Sequence, residues 1–343
     1  MKLATLRDGS RDGQLIVVSR DLSLAHYATG IATRMQQVLD DWNFLSPQLN
    51  DLSVTLNHGK ARHAFAFDPR QCLAPLPRAC GWWVPQAADG DANRSDMPTL
   101  LAAPGDSLLG AGDDAWPQCI PDAAGAAVSE VDAQAPGLDA AAMLGVVTGD
   151  IEAGTPAARA LEGVRLLLLM VQWRWRMPGA DIVPVPLGAT CAPVTVTPDE
   201  LGDAWTGGLA GLPVQLGANG RRIGLCDGAQ DQRWPFGVLL ARAAAWRGLN
   251  AGSVVAGGEL LCADGSRGHG SLHQRRRHEA AEIGAPRTPL LRAGDSVRAD
   301  VRGRDGTSVF GAIDLRLGPP PAGAAAEAAD ALANDAPPAG ATA

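Results

Sequence analysis

The stretch Gly137-Leu-Asp-Ala-Ala-Ala-Met-Leu-Gly-Val-Val-Thr-Gly-Asp150, with Val164-Arg-Leu-Leu-Leu-Leu-Met-Val-Gln-Trp-Arg-Trp175 a few residues on, decides how this chain folds. Met143 to Thr148 is a strand candidate, closed by the turn residues Gly149-Asp150. Thr155-Pro156 then starts a short helix, where proline at the first position lacks only a donor the helix would not use. Val164 to Trp175 is a nearly continuous apolar run and reads as a buried strand.

Working outward, the chain opens with a hairpin. Leu3 to Leu6 leads through Asp8-Gly9 and Asp12-Gly13 into the β-branched run Leu15 to Ser19. Between Ile31 and Leu56 apolar residues recur at three and four, which predicts helix with a break at Pro47. Three prolines between Asp68 and Arg78 mark an expected hinge. Gly81 to Pro136 is rich in Ala, Asp, Gly and Pro with little periodicity and reads as mostly loop. Thr197-Pro-Asp-Glu200 has the form of a capping box, and Pro235 to Trp246 is an amphipathic helix. The last strands are expected at Ser296 to Arg302 and Ser308 to Leu317, joined through Asp305-Gly306. This order predicts a small N-terminal domain over 1–80, a larger domain over 81–318, and an Ala/Pro-rich tail over 319–343 that buries too little surface to offset its ordering entropy.

Composition narrows the function. The 343 residues are 46% hydrophobic and 19% charged, enough apolar material for a core. A net charge of −8 offers no field for a phosphate backbone, so nucleic acid is not an expected partner. Leu166 to Val171, the longest apolar run, is far short of the ~20 residues of a membrane span. No apolar stretch of signal-peptide length opens the chain, and a cytoplasmic protein is expected. Cys72, Cys80, Cys119, Cys191, Cys226 and Cys262 lie far apart without a C-x-x-C pair, so a reduced, buried or incidental set is expected. Lys2 and Lys60 are the only lysines, so most of the chain has none for general-base or oxyanion work.

Several segments, in order, resemble the fumarylacetoacetate hydrolase family, especially bacterial members with a small N-terminal domain. They are Met1-Lys-Leu-Ala-Thr-Leu6 with Asp8-Gly-Ser-Arg-Asp-Gly13, Phe67-Asp-Pro69, Leu73-Ala-Pro-Leu-Pro77, Val146-Val-Thr-Gly-Asp150 and Val194-Thr-Val-Thr-Pro-Asp-Glu-Leu-Gly202. Ala251-Gly-Ser-Val-Val255, Gly284-Ala-Pro-Arg-Thr-Pro289, Ala293-Gly-Asp295 and Phe310-Gly-Ala-Ile-Asp314 complete the set over nearly all of residues 1 to 318. The resemblance implies a mixed, mainly β architecture: a β-roll of the fumarylacetoacetase C-terminal type behind a small barrel-like N-terminal domain, assembled as a homodimer. It also implies hydrolysis, decarboxylation or isomerisation of β-dicarbonyl or 2-oxo acids, with Mg²⁺ or Ca²⁺ on three or four carboxylates.

Where the resemblance places those carboxylates, this chain departs. The Glu-x-Glu pair falls on Ala141 and Met143, and the following aspartate on Trp173. An active-site lysine would fall near Pro186, a Gly-Thr pair reads Gly258-Glu259, and a water-activating glutamate falls near Gln274. The lid region Gly81 to Ala103 has no histidine, leaving Asp106 as its one polar residue in a family-like stretch. The expectation is a pseudoenzyme with weak or no metal-dependent hydrolase activity and no resident metal, surviving as a scaffold or as a binder of a small organic acid. An active hydrolase would need a relocated Mg²⁺ or Ca²⁺ site drawn from Asp106, Glu130, Asp132, Asp139, Asp150 and Glu259. Beside these, His269, His273 and His278 include an i, i+4 pair that could hold zinc if helical, against which the neighbouring run Arg275 to Arg277 would repel a cation; that run could bind an anion but reads as a solvated face. Ser107 sits outside any G-x-S-x-G elbow.

Overall fold

A computed structural model describes residues 1–86, 97–113, 137–176, 188–262 and 265–318. The opening hairpin forms as its sequence predicts. β1 (Lys2–Leu6) and β2 (Gln14–Val18) pair antiparallel with Leu3 opposite Val17, and β3 (Leu24–Tyr27) and β4 (Phe65–Ala66) extend them outward. The helical stretch divides into α1 (Met35–Asp40) and α2 (Trp42–Asn57), and the break falls at Asp41 rather than at Pro47. Pro47 lies inside α2 at the cost of one intrahelical bond. Burial of Leu45, Leu49 and Leu56 keeps the helix on the core despite it.

The proline-rich segment after Asp68 is not a free hinge. Leu73 N–H donates to the Thr5 carbonyl at 2.9 Å, Thr5 Oγ1 donates to the Pro75 carbonyl at 2.7 Å, and Cys72, Ala74 and Leu76 are buried.

The main sheet is built on β8 (Gly137–Thr148) and β9 (Val164–Arg176), joined through α3 (Ala157–Leu161). β8 begins six residues before the strand read from sequence, because Ala-rich 137–142 carries no β signal of its own and is held by pairing along β9. On the far side of β9, β11 (Val194–Val196) pairs with β1, so the N-terminal strands continue the large sheet. Beyond β8 come β16 (Ser253–Ala256), then β5 (Gly81–Pro85) parallel to it, then β6 (Leu100–Ala103). β10 (Ala189–Cys191) pairs with β9 and with β7 (Leu108–Leu109), completing twelve strands. The described part of Gly81 to Pro136 is therefore partly strand, not mostly loop.

A second sheet, in the order β15 (Arg221–Asp227), β14 (Pro213–Ala218), β17 (Ser296–Val301), β18 (Ile313–Arg316), is antiparallel throughout. Its buried Val214, Leu216, Val297, Ala299 and Ile313 join Ala140, Leu144, Leu167, Leu169 and Val171 in one core. The other face of β8 and β9 carries Ala141, Met143, Leu166, Leu168 and Met170, in a second core with Trp82, α1 and α2. Residues at alternate positions thus go to opposite faces, as strand geometry requires. A ribbon of β12 (Trp205–Thr206) and β13 (Leu209–Ala210) and the helix α4 (Phe236–Ala243) flank the first core.

Thr197 and Glu200 do not form the expected capping box. Thr197 Oγ1 accepts the Met1 ammonium at 2.7 Å and Glu200 Oε2 accepts it at 3.1 Å, a charged donor winning over neutral amides. No helix among the described residues is long and apolar enough to cross a membrane. Residues 319–343, the expected disordered tail, lie outside the described residues.

Candidate functional site

At the open end of the β8–β9 hairpin, charge replaces the apolar packing. Asp139 on β8 stands opposite Arg174 on β9, and in an antiparallel pair such partners point to the same face. Arg174 is 2.8 Å from Asp139 through one terminal nitrogen and 2.7 Å from Glu259 Oε2 through the other. Arg176 reaches Asp139 at 3.2 Å. Asp139 is fully buried, and Arg174 and Glu259 are nearly so.

Glu259 is delivered by the segment after β16. Gly258, at φ +84°, makes the turn, a conformation other residues rarely adopt. From the opposite side comes α5 (Leu272–Ile283). Its N-cap Ser271 uses one hydroxyl twice: the oxygen accepts the Gln274 N–H at 3.0 Å, and the O–H donates to Glu259 Oε1. The His273 N–H, in the first turn of α5, donates to Asp139 Oδ1 at 3.1 Å. α5 ends at Gly284, in the left-handed conformation.

The electrostatics follow from this arrangement. Burial alone would raise the Asp139 pKa, but Arg174 and Arg176 outweigh it and hold the carboxyl below its usual range. Burial likewise opposes charge on Arg174, and Asp139 and Glu259 more than offset it, so its pKa is raised. Burial, then Arg176, pushes the His273 imidazole down, so at neutral pH it offers a neutral ring. Above the cluster lies a cleft lined by Pro85, Gln86, Arg233, Trp234, His273 and Arg277, among others.

The residues singled out in the sequence do not all meet here. Ala141 and Met143 are on the face of Asp139 but packed in the second core. Trp173 is on the opposite face, in the first core, with its indole N–H donating to Thr190 Oγ1 at 3.0 Å. The same-face partner of Ala141 is Gln172. Gln274 does line the cleft, yet its side chain is occupied, accepting from Gly270 N–H at 2.8 Å and donating to the Cys262 carbonyl at 3.3 Å. Asp106 is exposed in a one-turn 3₁₀ segment and is not among the lining residues. Asp150 accepts the Ala251 N–H at 2.9 Å. Ser107 accepts the Trp82 indole N–H at 2.8 Å and donates to the Pro104 carbonyl. The His269 and His278 rings meet each other, tilted, with centroids 5.1 Å apart. Pro186, Glu130, Asp132 and the middle of the lid region lie outside the described residues. Arg174 and Arg176 were not singled out, although the alternation Gln172-Trp-Arg-Trp-Arg176 signals one charged face on β9.

Gly224 holds the entry to α5 against the second sheet. A Cβ there would lie 2.2 Å from the His269 carbonyl oxygen and 2.3 Å from its nitrogen. Gly224→Ala is expected to cost about 1–3 kcal/mol by forcing backbone to move. Thermal melts of the variant check this, and an unchanged Tm refutes the close approach.

Residues 1–78 match the family described as fumarylacetoacetase N-terminal domain 2. The architecture as a whole is similar to maleylpyruvate hydrolase from Sphingobium sp. SYK-6, with a TM-score of 0.60, 16% identity, and coverage of 92% of this chain and 99% of that one. This is the fumarylacetoacetate hydrolase fold. Fumarylacetoacetate hydrolase from Exiguobacterium antarcticum shares it at a TM-score of 0.57 and 17% identity, covering 93% of this chain and 99% of that one. Among curated proteins none matches the sequence. The resemblance read from ordered motifs thus agrees with both the N-terminal family match and the mixed, mainly β fold.

The Sphingobium maleylpyruvate hydrolase has also been solved with manganese(II) and pyruvate. The residues of this chain do not fit a hard divalent ion where the family motif would put one. Ala141 and Met143 supply no oxygen, Trp173 faces away, and the two buried carboxylates nearby, Asp139 and Glu259, already share the Arg174 guanidinium.

Proposed function

We propose that this protein of the fumarylacetoacetate hydrolase fold has little or no metal-dependent hydrolase activity and binds a small organic acid in the Arg233–Arg277 cleft. The observation that carries the reading is Arg174, held between Asp139 and Glu259. A buried guanidinium already neutralises the acids a cation would need, and a second cation beside it would be repelled. Two unit charges 4 Å apart interact by about 4 kcal/mol at an effective dielectric of 20. Arg233, Arg277, Trp234 and the neutral His273 around the cleft suit a small carboxylate, which a guanidinium can fork. Homodimeric assembly and a cytoplasmic location, which the family resemblance and the sequence imply, belong to the same proposal.

The relocated-site alternative finds less support. Of its acids among the described residues, only Asp139 and Glu259 come together, and they do so on Arg174.

Calorimetric titration with Mg²⁺ and Mn²⁺, a thermal-shift series with pyruvate, and an assay on acylpyruvates test the reading together. Expected are no stoichiometric binding of either ion, a rise in Tm with pyruvate that Arg277→Ala diminishes, and no turnover. Tight Mn²⁺ binding accompanied by acylpyruvate hydrolysis overturns it.

A further inference from the structure

Cys226 on β15, Cys262 three residues beyond Glu259, and Asp231 converge in the interior. Their donor atoms lie within 4.8 Å of one another, and all three residues are buried. We propose that they form a site for a thiophilic divalent ion of the zinc class, distinct from any hard-cation position on β8 and β9. Two sulfurs and one carboxylate oxygen make a soft donor set that selects zinc over magnesium or calcium. With Zn–S bonds of about 2.3 Å, tetrahedral geometry sets the sulfurs about 3.8 Å apart, so the cluster closes by at most about 1 Å.

The surroundings complete the site. Arg267 donates to Asp231 Oδ1 at 3.0 Å and Oδ2 at 3.1 Å, and the Asp227 N–H donates to Oδ2 at 2.7 Å. Oδ1 keeps a lone pair for a metal, and the arginine orients the carboxylate as outer-shell partners of ligands do. Charge also balances, because this site has two ionisable thiols, which the Arg174 cluster lacks, to offset the repulsion from Arg267. The balance counts two neutral thiols before loading, with Asp231 paired to Arg267. On loading, the two thiols release two protons to solvent, and two thiolates, one carboxylate, Zn²⁺ and Arg267 sum to zero. Water takes the fourth position, which leaves the site open to exchange.

Such an ion would hold the site segment in place. The Leu261 N–H donates to the Asp231 carbonyl at 2.8 Å, and Gln274 donates to the Cys262 carbonyl. A metal on Cys226 and Cys262 therefore ties β15 to the segment that delivers Glu259, and its thiolate chemistry is read independently of Mg²⁺ or Mn²⁺ binding.

The full chain, reduced and stripped with a chelator, is titrated with Co²⁺ and then Zn²⁺. Expected is one equivalent of Co²⁺ with a near-ultraviolet thiolate charge-transfer band and visible bands of tetrahedral intensity, displaced by Zn²⁺. Cys226→Ser and Cys262→Ser should each abolish the charge-transfer band at one equivalent, while Cys80→Ser keeps it. Zn²⁺ should also raise the Tm of the wild type and protect two thiols from alkylation, readouts that do not depend on any variant folding. Absence of a thiolate band in the wild type, or a band that survives both serine substitutions, overturns the proposal.

Discussion

Arg174→Met is expected to lose about 3–5 kcal/mol of stability at neutral pH, the range found when one partner of a buried ion pair is removed. The substitution keeps much of the aliphatic volume and removes the charge. Asp139 and Glu259 are then left buried with Arg176, Ser271 and the His273 N–H as remaining partners. The loss should depend on pH in a definite sense. In the wild type the folded Asp139 pKa lies below its unfolded value of about 3.9. Its contribution to stability is thus full above about pH 4 and disappears as pH falls through the depressed folded value. Once Asp139 is protonated, Arg174 no longer serves it, so the gap between variant and wild type should narrow in acid. Urea denaturation of both proteins across pH 3 to 7 measures this. A gap that stays constant would mean that Arg174 acts through packing alone.

The second large effect concerns rebuilding a metal site. Ala141→Glu, Met143→Glu and Trp173→Asp together should fail to create a Mg²⁺ or Mn²⁺ site, although those are the positions on which the resemblance read from the sequence puts the ligand pattern. Trp173 is on the wrong face. Its replacement removes an indole from the first core, which costs about 3–5 kcal/mol before a buried charge is counted. Gln172→Asp in place of Trp173→Asp puts the third carboxylate on the face of Ala141, directly across from it. Even this set must compete with Arg174, so measurable binding is expected only when Arg174→Met is added. Calorimetry on the three proteins decides the order, and stoichiometric Mg²⁺ binding by the Trp173→Asp triple variant would contradict the facing of β8 and β9.

How much of this was legible in the sequence depends on the range of the interaction. The N-terminal hairpin, β9 and α4 announce themselves by local signals, namely turn glycines, an apolar run and a 3.6-residue period. β5 and β6 do not, because β5 holds its place by pairing with a strand some 170 residues away, and β6 is held in turn by β5, not by alternation. Pro47 has the local signature of a break, yet tertiary packing overrides it. Asp139 and Glu259 were visible as acids, and Gln274 as a cleft candidate. That Arg174 joins the two acids required the β8–β9 register and the approach of the segment after β16, which bring together positions 35 and 85 residues apart. Cys226 and Cys262 read as incidental in the sequence for the same reason, since their spacing matches no local metal motif.

The pairing of β1 with β11 carries a consequence for synthesis. Lys2 faces Val196, so the inner edge of the first hairpin has no partner until about 190 more residues have been made. At 5–20 residues per second that interval is on the order of 10–40 s. Throughout it the nascent chain presents the strand edge Lys2-Leu-Ala4, which any other extended segment could occupy. Translation rate and chaperone supply should therefore affect how much of this protein reaches the native state in a cell.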